Sequence, residues 1–135
     1  MATLTKFYPF VEALAEKKHN LASDTLKIAL SSVAPTASNA TLSDITQIAY
    51  TNLSARTLTV SASAQADGVY SLILDDLTLS ASGTVEAFRY IIIYNDTASN
   101  DELIGWYDYG STVNLVSGHS LTINFDNVNG VIQIT

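Results

Sequence analysis

The stretch "NDTASNDE", residues 95–102, brings Asp96, Asp101 and Glu102 close together in sequence, and three clustered acids raise the chemistry of calcium ligation. The spacing lacks the regular acid alternation and central glycine of an EF-hand loop, so no metal ligand is assigned. Asp101 with Asp108 has the residue types of a glycosidase pair, but that chemistry depends on a separation in space that spacing in sequence does not supply. Trp106, Tyr107 and Tyr109 in "GWYDYGS" offer flat rings with polar tips, suited to stacking on a sugar, to core packing or to a protein interface. His19 stands at the end of a predicted helix and His119 in an "SGHS" turn, and no nucleophile elbow surrounds any of the many serines. No catalytic, cofactor-binding or metal-binding residue is therefore assigned, no cofactor is expected, and the chain reads as a non-enzyme.

The elements that must carry these residues are mostly strands. "FRYIIIY" is apolar on both faces, as a central strand is, and the Asn, Asp and Ser residues after it are the types that close turns, so 95–102 reads as a hairpin connection between two strands. Leu26, Ile28 and Leu30 alternate with Lys27 and Ala29; Leu58 and Val60 alternate with Thr57, Thr59 and Ser61; Leu121, Ile123 and Phe125 alternate with Thr122, Asn124 and Asp126. An "ADG" turn at 66–68 leads into another apolar run over 69–75, and "GVIQIT" closes the chain as a further strand. In Tyr107 and Tyr109 the period of two predicts a shared face, with Trp106 on the opposite one. Upstream, Phe7, Phe10, Val11 and Leu14, with Pro9 early and Lys17, Lys18 and His19 late, predict a short amphipathic helix over about 6–18. Residues 31–44 read as a surface excursion broken by Pro35, with a brief helical turn near Asp44–Ala49. The spacing predicts one mainly β domain over 1–135, an antiparallel two-sheet β-sandwich (jelly-roll-like), with 1–20 as an N-terminal helical segment.

Composition narrows the function classes. With 135 residues, 47% apolar and 14% charged, the chain is long enough for a packed core and far from a disordered composition. It has no cysteine, which excludes disulfides and thiol catalysis. No apolar run approaches the roughly 20 residues of a membrane-spanning helix, and the N-terminal stretch lacks a basic leader before an apolar run, so neither membrane insertion nor secretion is expected. The net charge of −7 is uneven: residues 1–27 sum to +1 and residues 28–135 to −8, with only Arg56 and Arg89 against ten carboxylates. Such a body repels phosphates, so no nucleic-acid partner is expected. Sequons at Asn39, Asn52 and Asn95 fit a chain rich in Ser and Thr without secretion.

Two longer stretches carry a resemblance. Residues 4–49, with "TKFYPFVEALAEKKHNLASDTLKIAL", an "AP" loop and "DITQIA", and residues 88–125, with "FRYIIIYNDT" and "LIGWYDYGS", resemble a family of small proteins of tailed bacteriophages over roughly two thirds of the chain. After Ala49 that family has a glycine-rich loop, where "YTNLSARTLTV" contains no glycine. The resemblance implies a virion structural protein, made in the host cytoplasm and placed on the capsid exterior as a decoration or cement protein. Its expected partners are the major capsid protein and itself, as a homotrimer, with no nucleic acid and no membrane. Lys6, Phe7, Phe10, Trp106, Tyr107 and Tyr109 are the expected interface residues. A neck or tail component and a carbohydrate-binding sandwich module are the alternatives.

Overall fold

The computed structural model describes residues 3–135; Met1 and Ala2, part of the expected N-terminal segment, lie outside the described residues. The fold is mainly β, with antiparallel sheets and one short helix. In chain order the elements are β1 (Thr5–Lys6), α1 (Tyr8–Ala15), β2 (Leu26–Ser31), β3 (Val60–Ala66), β4 (Val69–Leu74), β5 (Leu77–Ser80), β6 (Phe88–Asn95), β7 (Leu103–Val113), β8 (Ser120–Ile123) and β9 (Ile132–Ile134). Their pairing makes three ladders, β1-β7-β6-β2, β3-β4-β9 and β5-β8.

The strand β6 is central, as its two-faced apolar pattern predicts. It pairs with β2 and β7 in antiparallel register, aligning Leu30, Ile91 and Tyr107 across three strands. Between β3 and β4, Asp67 (φ 52°) and Gly68 (φ 83°) both take positive φ, which is what a tight two-residue hairpin turn demands. One hydrophobic cluster joins the ladders, running from Phe7 and Phe10 through Ile28, Ile91 and Ile93 to Leu72, Leu79 and Phe125. The pattern predicts two sheets, whereas the short β5 and β8 pair only with each other. The adjoining segment is tied to them by Ser54 N–H donating to Ser80 O at 3.0 Å.

The N-terminus differs from its expected form. The helix covers Tyr8–Ala15 rather than 6–18: Thr5 and Lys6 pair with Trp106 and Gly105 as an edge strand, and Lys17 turns into the left-handed region at φ 67°. That turn lets Lys18 N–H donate to Ala13 O at 2.9 Å, closing the last helical turn with backbone alone. Gly105 permits the close approach of β1, because a Cβ there would stand 2.9 Å from Thr5 O and from the Leu4 side chain. The helical turn expected near 44–49 is instead a 3₁₀ turn at Leu42–Asp44, since Asp44 accepts from Ala40 N–H at 2.8 Å and Thr41 N–H at 3.2 Å and so caps it earlier. The excursion containing it docks on the β6–β7 connection, with Leu42 N–H on Asp101 O and Leu103 N–H on Ala40 O, both at 3.0 Å.

Gly130, before β9, has φ +82°, and a Cβ there would lie 2.5 Å from Leu72 O. Gly130→Ala is expected to cost about 2–3 kcal/mol, because both the backbone conformation and the contact oppose a side chain. Urea unfolding measures this; unchanged stability would mean that the 126–130 turn relaxes freely.

Candidate functional site

The expected interface residues separate into two groups. Phe7 (0% exposed), Phe10 (5%) and Tyr107 (7%) are core residues. Their expected surface role is corrected: β1 holds Phe7 under the sheet edge with its N–H on Ile104 O at 3.1 Å, and Tyr107 packs on Phe125 with ring centroids 6.1 Å apart. Burial also pushes the Tyr107 hydroxyl up to about 12, with the Asp126 charge adding to it. Trp106 is half-buried, its ring 4.6 Å from that of Phe7, while Lys6 and Tyr109 are exposed.

The acidic candidates do not assemble into a reacting pair. Asp108 binds Arg89 through two hydrogen bonds of 2.8 and 3.1 Å, and this partner holds its carboxyl below the usual range. The strand from Leu103 to Asp108 alone spans roughly 16 Å, so Asp101 and Asp108 stand farther apart than either glycosidase geometry uses. Asp96 lies 3.3 Å from Lys27, and no group of three or more His, Asp or Glu among the described residues is arranged to hold a metal ion. His119 closes its own turn, its N–H on Val116 O at 2.9 Å.

The surface beside α1 has a different character. An open groove of about 470 Å³ runs between α1 with β1 and the last strand β9, floored by Leu4, Phe10, Leu14, Ile104 and Val131 and edged by Lys6. A second opening of about 520 Å³ shares Leu14 and Ile134 with it and is edged by Lys17 and Lys18. Both β1 and β9 are edge strands of their sheets. On the outer side of the helix Tyr8 is 70% and Val11 50% exposed. Among the described residues the ion pairs are Lys27–Asp96 and Arg89–Asp108, which leaves Lys6, Lys17 and Lys18 unpaired around this apolar surface.

Under the second opening lies a buried polar network that the sequence pattern did not single out. Asn95 is 0% exposed; its Nδ2 donates to Asp24 Oδ2 at 2.7 Å and meets His19 Nδ1 at 3.0 Å. Its Oδ1 accepts from Thr97 N–H at 2.9 Å and Ala98 N–H at 3.1 Å, which fixes the amide orientation. His19 is buried, and desolvation lowers its pKa from the ordinary 6.5 against the pull of Glu102 and Asp24. His19 Nε2 and Glu102 Oε2 are buried without a hydrogen-bond partner. Asn95 heads a sequon, but a side chain so enclosed is no glycan acceptor in the folded chain. A signal for the network was present in "HN" and "YND", yet each reads equally as turn chemistry.

These features define an antiparallel, mainly β domain whose distinctive surface is an apolar groove beside α1, edged by Lys6 and adjoining an opening lined by Lys17, Lys18 and Asp24. Comparison with protein-family models, with curated proteins and with solved structures returned no match.

Proposed function

We propose that this chain is a capsid decoration protein of a tailed bacteriophage, which binds the outer surface of an assembled head and strengthens it by contact alone. The observation that carries the reading is the N-terminal surface, where Tyr8 and Val11 stand exposed next to an apolar groove and three unpaired lysines. A surface of that kind suits adhesion to protein better than turnover of a small molecule. The phage-like sequence words supply the context, and the partner in this reading is the major capsid protein, met by the exposed side of α1. Self-association, expected as a homotrimer, lets each oligomer engage several shell subunits, so effective concentration multiplies modest affinities. Tyr109 and the N-terminal surface remain available for these contacts, while Tyr107 serves the core.

The reading is tested by quantitative mass spectrometry of purified heads separated from tails. Copies comparable in number with the major shell protein are expected. A handful of copies, or presence only with tails, would replace decoration with a neck or tail role.

A further inference from the structure

The groove edged by Lys6 invites an occupant that is apolar at its tip and acidic at its base, and the chain itself presents one. Val128 is 80% exposed, the highest value among the exposed large apolar side chains of the described residues. It stands on a turn that is already ordered: Asp126 Oδ1 accepts from Val128 N–H and Asn129 N–H, both at 2.9 Å, and Oδ2 takes Asn129 Nδ2 at 3.3 Å. Those backbone donors hold the Asp126 carboxyl below its usual range, so it keeps its charge. Asp76 Oδ1 binds Phe125 N–H at 2.9 Å on the incoming side, and Val131 N–H binds Leu72 O at 2.8 Å on the outgoing side. A protrusion tied at both ends loses little freedom when it docks.

We infer that the groove between α1 and β9 receives the Val128 turn of a second copy of this chain. Charge complementarity selects this occupant. Lys6 edges the groove, and Lys17 and Lys18 outnumber Asp24 at its neighbouring opening, whereas the Val128 turn carries the Asp126 carboxylate within a stretch, residues 90–135, that has no Lys or Arg. Val128 meets Leu4, Leu14 and Val131 of the other copy, and Asp126 meets its lysines. The contact screens with salt, because the charges lie at a wet rim. The inference deepens the self-association part of the decoration reading.

Sedimentation velocity of the free protein, at concentrations up to about 100 μM and at low and high salt, tests it without heads. The native chain is expected to associate, more weakly at high salt. Val128→Asp alone, and Lys6→Glu with Lys18→Glu, each weaken association about tenfold or more while leaving the thermal midpoint in place, since all three positions are exposed. An equimolar mixture of the two variants is expected to recover a 1:1 species, because one copy supplies an intact groove and the other an intact turn. A native chain that stays monomeric, an oligomer indifferent to both variants, or a mixture that stays dissociated would overturn the proposal. Copy number on heads is read separately, so failure here and failure of the decoration reading are distinguishable.

Discussion

An Asn95→Ala protein is expected to lose about 3–5 kcal/mol of stability, the largest single-site effect predicted outside the apolar core. The side chain is wholly buried and serves four partners, as donor to Asp24 and His19 and as acceptor from the backbone of Thr97 and Ala98. Alanine leaves all four without that partner. Each buried group so stranded costs about 1–3 kcal/mol, and the parts of Asp24 and the turn that reach water recover some of it. Asn95→Asp is expected to be comparably harmful, because it replaces the amide donor with a carboxylate facing Asp24. Equilibrium urea unfolding followed by Trp106 fluorescence measures the change, with a fall in thermal midpoint of roughly 10 °C or more. A loss below about 1 kcal/mol would show that the β6–β7 connection is ordered without this network.

Acid should destabilise the native chain in a window that belongs to His19. Because Asn95 Oδ1 is committed to Thr97 and Ala98, its Nδ2 must present hydrogen to His19 Nδ1, which therefore accepts and stays unprotonated. Protonating Nδ1 would set two donors against each other at 3.0 Å. This repulsion acts with desolvation, while Glu102 and Asp24 pull the other way without cancelling it. The folded pKa lies below the unfolded value near 6.5, so the unfolded chain binds a proton that the folded chain refuses. The stability is present above pH 6.5 and is lost as pH falls toward the folded pKa, at up to about 1.4 kcal/mol per pH unit. The lowered carboxyls of Asp44, Asp108 and Asp126 have the same sign but act at lower pH, below the ordinary carboxylate value of 3.8. Urea midpoints between pH 7 and pH 5 should therefore slope downward in the native protein and flatten in His19→Gln. Equal slopes would remove His19 from the account, as would long-range ¹H–¹⁵N spectra placing its neutral proton on Nδ1 instead of Nε2.

The central strand was legible because an apolar pattern on both faces has few solutions: "FRYIIIYN" becomes β6, between β2 and β7. Which of the expected interface residues reach solvent was not, and for separate reasons. Phe7 looks like the start of an amphipathic stripe, but the preceding Thr5 and Lys6 join β7 and carry it under the sheet edge. Tyr107 and Tyr109 share a face by parity, yet Tyr107 is buried and Tyr109 is 47% exposed. Parity says which side a residue takes and not where along an 11-residue strand the covering layer ends. The groove beside α1 arises where two sheet edges meet the helix, so no single segment announces it.

The sequence by itself determined the β-rich class, the central strand, the turn at Asp67–Gly68 and the split between a weakly cationic N-terminal fifth and an acidic body. These are properties of neighbours along the chain: the period of two, turn chemistry and counts of charge act locally. Tertiary structure alone decided which aromatics face solvent and which polar residues meet in the interior. Asn95 reaches Asp24 and His19 across 71 and 76 positions of chain. Hydrogen bonds and burial depend on distance in space, and only the pairing of β6 with β2 and β7, with the helix docked on β7, brings those distances into being.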